Sequence, residues 1–275
     1  MEKSIAIIGA GHMGTSLIGG LINDGHPADK IWAANPTPEK LSRLQQRFHI
    51  HTTTDNSVAA QAADIVILTV KPFIITTVTA ELRPIIHARK SLVISAASGI
   101  RETSIQHSLG GNIPLVRAMP NVPALIGCGA TALFANPFVT EDQHSAAESI
   151  FRAVGMVVWL EKEELMDTVT ALSGCGPAYF FLVMEALQTA AEELGLPSET
   201  ARLLTLQTGL GAARMALESH STLAELRRSV ASPGGSTERA LSVLEEKNVR
   251  GLFKQALLAA KQRAEELATT VGEKK

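Results

Sequence analysis

Short apolar runs alternate with polar stretches of helical length from Ile5 to about Leu160. Ile5–Ile8, Ile31–Ala34, Ile65–Val70, Leu92–Ala96 and Leu115–Ala118 stand out, apolar at nearly every position and rich in β-branched residues. A strand without polar alternation is covered on both faces, so these runs predict a parallel sheet with helices packed on either side. Gly129–Phe134 and Met156–Leu160 read as two later strands, with antiparallel pairing open for both.

Beyond Glu161 the β-branched runs stop, and the remainder reads as helices with marked ends. Pro177 lies near one start and Gly195-Leu196-Pro197 closes that helix; Ser198 offers the next N-cap. Thr222-Leu223-Ala224-Glu225 has capping-box spacing, and Asn248 caps a last helix running to about Ala268. The pattern predicts a doubly wound α/β domain over 1–161, with a mostly parallel sheet, followed by an all-α domain over 162–275. Within the latter, the helix from Ser198 to about Ser219 carries Leu203, Leu204, Leu206, Leu210, Met215 and Leu217 with few polar positions. So small a domain has too little interior to bury it, and a second subunit is expected against it.

Composition narrows the function. The 275 residues, 45% hydrophobic and 19% charged, exclude a disordered or coiled-coil chain. Lys and Arg number 25 against 27 Asp and Glu, with no basic block, so neither nucleic acid nor membrane is an expected partner; a small molecule is. Cys128 and Cys175 are too few for a disulfide framework, and a cytoplasmic location is expected. Lys3 and the apolar run after it outline a secretory leader, but Gly9, Gly11, Gly14, Gly19 and Gly20 interrupt it. No other stretch reaches about 18 uninterrupted apolar residues, so no membrane span is expected either. His49-Ile50-His51 is the only close histidine pair and has no acidic or cysteine neighbour, so no metal is expected.

Directly after the first strand stands Gly9-Ala10-Gly11-His12-Met13-Gly14, a GxGxxG opening a helix. Gly9 permits the tight turn, Gly11 the approach of a pyrophosphate, Gly14 close helix packing; the new helix, beginning with His12 and Met13, faces the phosphates with its N-terminus. A glycine-rich structural turn is the alternative, and the His12 side chain reads as a loop group rather than a ligand. Dinucleotide binding makes this a Rossmann domain. At the end of the second strand, Ala33-Ala34-Asn35-Pro36-Thr37 lacks the acid that would hold an NAD ribose and repel a 2′-phosphate, while Lys40 and Arg43 follow. NADPH is therefore the expected cofactor, with NADH second, and Asn35 and Thr37 are candidate contacts. Asn56 either reaches the adenosine half or merely caps a turn.

Ligands in such sheets lie beyond the carboxyl ends of the strands, which draws in Val70-Lys71-Pro72, Ala97 in Ala96-Ala97-Ser98-Gly99, and Met119 and Asn121 in Met119-Pro120-Asn121-Val122-Pro123. The helical half adds Ser173-Gly174-Cys175-Gly176-Pro177-Ala178-Tyr179 and Ser232-Pro233-Gly234-Gly235-Ser236-Thr237, each leading into a helix. Both are either helix turns or sites for a small carboxylate. No lysine lies between Lys162 and Lys247, so the acid–base lysine of a hydroxyacid dehydrogenase has no candidate here. Reduction of an already protonated C=N bond suits the chain better.

With these motifs assembled, the chain resembles the pyrroline-5-carboxylate reductases over its full length. The likeness is carried by GAGHMG, VKP (Val70 to Pro72), RAMPNVP (Arg117 to Pro123), DTVTALSGCGPAY (Asp167 to Tyr179) and SVASPGGSTERAL (Ser229 to Leu241), with Phe73 and Cys175 as departures from the usual glutamine and serine. The resemblance implies an all-α dimerisation domain, a homodimer often within a larger ring of dimers, and reduction of the cyclic imine to L-proline by NADPH or NADH. It also implies a substrate carboxylate on the backbone N–H groups of Gly234, Gly235, Ser236 and Thr237, and the Thr237 hydroxyl on the ring nitrogen. Met119, Asn121, Ala97 and Pro177 would shape the pocket. The alternatives are a reductase of other cyclic imines or short hydroxyacids, or a dinucleotide sensor without catalysis.

Overall fold

The computed structural model describes residues 3–272. The chain forms two compact units: one holds the residues up to Cys175 with those from Ala259 on, the other is Gly176–Leu258. The sheet ends at Trp159, but the first unit runs past the sequence division at 161 to Cys175 and takes in the stretch from Ala259, so its bounds differ from 1–161 and 162–275.

The first unit is built on one eight-stranded sheet, β1 (Ile5–Ile8), β2 (Ile31–Ala34), β3 (His51–Thr53), β4 (Ile65–Leu68), β5 (Leu92–Ser95), β6 (Leu115–Met119), β7 (Gly129–Ala135) and β8 (Gly155–Trp159), in the order β3-β2-β1-β4-β5-β6-β7-β8. The first six are parallel. β7 runs antiparallel to β6, and β8 parallel to β7, so both late strands oppose the rest. β3 was not expected, because its residues are polar and it occupies the sheet edge, where no second face needs apolar cover.

The strand sequences account for two cores. Ile5, Ile7, Ile65, Ile67 and Ile94 face α1 (His12–Asn23), α2 (Pro38–Phe48) and α6 (Glu141–Arg152), contributing to a cluster with Leu17, Leu44 and Phe151. Ala6, Ile8, Val66, Leu68 and Val93 face the other way, with Leu82, Ile86 and Ile105 of α4 (Ile75–Arg89) and α5 (Glu102–Leu109), and Ala59 and Ala60 of α3 (Asn56–Gln61). Each apolar strand thus feeds both layers.

α7 (Leu165–Val169) passes through a π turn at Thr170–Gly174 into α8 (Gly176–Glu193), so this stretch is nearly continuous helix. The second unit then carries α9 (Ser198–Glu218), α10 (Leu223–Ser229) and α11 (Ser236–Glu246), and α12 (Val249–Gly272) runs from it into the first unit. The Thr222–Glu225 capping box and the Asn248 cap are present. Ser198 is not an N-cap: it is the first residue of α9, and its hydroxyl donates to Glu192 at 2.7 Å.

The second unit is rich in uncovered apolar side chains. Phe180, Phe181, Leu187, Leu204, Leu210 and Leu217 are all more than half exposed. The run Leu165–Glu193 is long and apolar enough to cross a membrane by length and composition, with only 11% of its window buried. The sequence criterion of an unbroken apolar stretch passed over it because Glu185, Gln188 and Glu192 interrupt it.

Candidate active site

The glycine-rich loop lies where the order of strands reverses, between β1 and β4, with Val70 against Gly9. Gly9 has a φ of +90°, and a Cβ there would stand 2.7 Å from Val70 Cγ1 and 2.9 Å from Val70 N. A Cβ at Gly14 would meet Ile7 and Thr69 at 3.0 Å, so this residue allows α1 to sit down on the sheet. The N–H groups of Gly9 and Ala10 donate to Ala34 O, and that of Gly11 to Gly9 O. The first intrahelical bond is Thr15 N–H to Gly11 O, and Gly11 supplies no side-chain cap. The N–H groups of His12, Met13 and Gly14 are therefore left without an acceptor among the described residues, an anion-binding end that fits a dinucleotide pyrophosphate. The His12 side chain is exposed.

Asn35 directly follows β2, buried, and its Oδ1 accepts from Thr37 N–H at 3.0 Å, fixing the corner before α2. Asn56 is the first residue of α3; the cap is supplied by its neighbour Asp55, which accepts from Ser57 N–H. The Asn56 side chain is thus not needed there. β4 stops at Leu68, so Val70, Lys71 and Pro72 form the loop and short 3-10 turn beyond it. Ala97 is buried in the corner after β5. At Gly99, φ +74°, the nearest atoms to a built Cβ belong to Ala264, Leu267 and Ala268 of α12.

Met119 ends β6, and a Cβ at Gly174 would fall 2.6 Å from its Cε, so the Met119 side chain lies on the π turn. Asn121 is buried and spans this corner: its Nδ2 donates to Ser173 O at 3.0 Å and its Oδ1 accepts from Ala130 N–H at 2.9 Å. Below them Arg117, only 7% exposed, donates to Glu163 at 2.6 Å, and Arg101 donates to the buried Asp167, also at 2.6 Å. Glu163 also accepts from Glu102 N–H at 2.5 Å. Burial pushes the Arg117 guanidinium below its ordinary value, and Glu163 pulls it back. Sequence reasoning missed this network, although an arginine inside the apolar run Leu115–Met119 signals a buried charge that needs a partner.

The two glycine-rich segments of the C-terminal half differ. At 173–177 there is no open helix end, because the π turn carries the helix through and Cys175 N–H donates to Thr170 O. Pro177 sits in the first turn of α8. At 232–237 the end is open, but not at every amide. Gly235 N–H closes a turn on Ser232 O, and Gly234 N–H, at φ +71°, donates to the Glu238 carboxylate at 2.6 Å. The first intrahelical bond after that is Arg239 N–H to Gly235 O, leaving Ser236, Thr237 and Glu238 N–H free to receive an anion. Of the four amides assigned to the substrate carboxylate, Gly234 and Gly235 are thus already engaged. The Thr237 hydroxyl makes no hydrogen bond among the described residues, and α11 has no side-chain cap.

The first unit thus assembles Gly9, Gly11, His12, Met13, Gly14, Asn35, Thr37, Asn56, Val70, Lys71, Pro72, Ala97, Met119 and Asn121, and the second holds Pro177, Gly234, Gly235, Ser236 and Thr237. Among the described residues no group of three His, Cys, Asp or Glu side chains is placed to hold a metal. His51 stacks on Trp32 at 4.6 Å instead, and both cysteines are free thiols.

Residues 163–267 match the family model described as pyrroline-5-carboxylate reductase dimerisation, and residues 4–99 match NADP oxidoreductase, coenzyme F420-dependent. The pyrroline-5-carboxylate reductase of Pseudomonas aeruginosa is 46% identical over 98% of both chains. The chain belongs to the pyrroline-5-carboxylate reductase family. The Escherichia coli K12 member is 36% identical over 98% of this chain and 99% of that one. A solved structure of the Coxiella burnetii reductase is 49% identical with a TM-score of 0.94, covering 98% of this chain and 99% of that one. The Plasmodium falciparum enzyme, solved with NADP bound, is 28% identical with a TM-score of 0.86 at the same coverage. The chain is thus an NADP-type oxidoreductase with a Rossmann domain, and its exposed helical surface lies in a dimerisation domain.

Proposed function

We infer that the protein reduces 1-pyrroline-5-carboxylate to L-proline with NADPH, NADH serving more weakly. The observation that carries this reading is the likeness to reductases of that name along the whole chain, 46% identical in one case. When bound, the nicotinamide supplies the hydride. The chain's own residues bind and orient. His12, Met13 and Gly14 N–H groups hold the pyrophosphate at the open end of α1, and Asn35 and Thr37 border the adenosine ribose. Ser236 and Thr237 N–H groups receive the substrate carboxylate at the open end of α11. The Thr237 hydroxyl, with no internal partner, is left to hold the ring nitrogen. An iminium ring arrives protonated, so the site needs position more than proton transfer. Met119 and Ala97 line the approach within the first unit, and Asn121 acts by holding the π turn in place.

The direct test is NADPH oxidation with synthetic pyrroline-5-carboxylate. Turnover with hydroxyacids or six-membered imines but not with this substrate overturns the assignment, and binding without any turnover makes the chain a sensor. Thr237→Ala is expected to lower kcat/KM by roughly a few-fold to a hundredfold, the loss of one positioning hydrogen bond at the transition state. Because the hydroxyl caps nothing, Tm should not move; a stability loss near 1 kcal/mol with unchanged kinetics would make it structural.

The homodimer is proposed as the minimal functional unit, and a larger ring of dimers as its assembly. Phe180, Phe181, Leu204 and Leu210 would be stranded in water on a monomer. Sedimentation at high dilution should show no folded monomer, and an active monomer would refute the dependence. A cytoplasmic location is proposed on the two free thiols.

A further inference from the structure

We propose that Gly174 sets the width of the imine pocket by seating the end of the Met119 side chain, an inference that rests on the reaction proposed above. Gly174 is the last residue of the π turn and its φ lies outside the left-handed region, so no turn geometry requires a glycine there. The space requires it. A built Cβ would stand 2.6 Å from Met119 Cε, with Thr170 Cγ2 the next atom at 3.8 Å. The missing side chain is therefore a gap that one methyl group of β6 occupies.

The turn itself is pinned. Ser173 O accepts from Asn121 Nδ2 at 3.0 Å, Cys175 N–H donates to Thr170 O, and the Thr170 and Ser173 hydroxyls donate to Met166 O and Val169 O. Met119 is held at its backbone as well, paired with Ala132 across β6 and β7. What can move is the thioether, an unbranched chain on freely rotating bonds. Arg117, two residues back, points to the same face of β6 and is locked to Glu163 at 2.6 Å, so a displaced methyl meets an ion pair on that side. The open side is the crevice beyond the carboxyl end of β6, where the ring is to be reduced. One carbon added at Gly174 would thus push the Met119 sulfur and methyl into the pocket, and shortening Met119 would widen it.

The test is steady-state kinetics with synthetic pyrroline-5-carboxylate and with a six-membered cyclic imine carboxylate, on the wild type, Gly174→Ala, Met119→Ala and the double variant. The ratio of kcat/KM for the five-membered over the six-membered ring should rise about tenfold in Gly174→Ala and fall about tenfold in Met119→Ala, the discrimination one methylene supplies in an apolar pocket. NADPH affinity should not change in Gly174→Ala. In the Met119→Ala background the change at Gly174 should do nothing further, because the group it displaces is gone. Equal losses on both rings, an effect of Gly174→Ala that survives removal of the methionine, or a lowered Tm with unchanged ratios would overturn the proposal. If Gly174→Ala alone does not fold, the double variant decides: it folds where the methionine is the obstacle and fails where the backbone itself demands glycine. The seat is read separately by NMR on methionine-methyl-labelled protein, in which the signal lost in Met119→Ala should be the one that moves in Gly174→Ala. An unmoved signal overturns the inference whatever the enzyme reduces. A wild type that turns over neither imine, while that signal moves, sinks the proposed reaction and leaves the seat standing.

Discussion

Gly9→Ala is expected to abolish NADPH binding and to lower stability by about 2–4 kcal/mol, roughly 10 °C in Tm. Two penalties combine. A φ of +90° strains any residue with a Cβ, and here the added carbon would stand 2.9 Å from the Val70 backbone nitrogen, which cannot rotate away as a side chain would. The relief is to push β1 and the loop after β4 apart, which opens the corner that aims the His12, Met13 and Gly14 amides. Gly25→Ala separates the terms: it has the same φ of +90° with nothing within 4 Å of the added carbon, and should cost only about 1 kcal/mol with cofactor binding intact. Equal effects of the two substitutions on melting and on NADPH affinity would show that crowding at the strand reversal plays no part.

Removing the Glu163 carboxylate should be the most damaging side-chain deletion, at about 3–5 kcal/mol for Glu163→Ala. Arg117 would then keep its charge at 7% exposure with no partner, and Glu102 N–H would lose its acceptor. The damage should reach the active site, because Arg117 lies in the strand that ends in Met119, and Glu163 leads into the helix and π turn that Asn121 grips. The combined Arg117→Met and Glu163→Leu variant removes both charges and should recover most of the stability, since a buried pair is costly mainly when halved. Thermal melts of the single and double variants decide this; a double variant no more stable than Glu163→Ala would mean that the pair contributes more than mutual neutralisation.

Much of this was written in local pattern. The five unbroken apolar runs could be satisfied only by a two-faced parallel sheet, and GAGHMG after the first of them by a tight turn into a helix, so the α/β architecture and the cofactor end followed from steric and burial demands within a few residues. The family followed from long motifs, above all DTVTALSGCGPAY and SVASPGGSTERAL.

What the tertiary structure alone decided depends on partners distant in the chain. β3 needed the Trp32 edge to pair with, since its own residues His51–Thr53 carry no burial signal. The last part of α12 packs beside Gly99, so the C-terminal residues belong with the first unit, a fact no local period records. Asn121 could only be recognised as a clamp once Ser173 and Ala130 lay at its two ends. Likewise the free amides of α11 could be told from the engaged ones only when Glu238 had folded back onto Gly234. Burial periodicity reports whether a residue is covered; which atom satisfies its donors is settled by the fold that brings remote groups together.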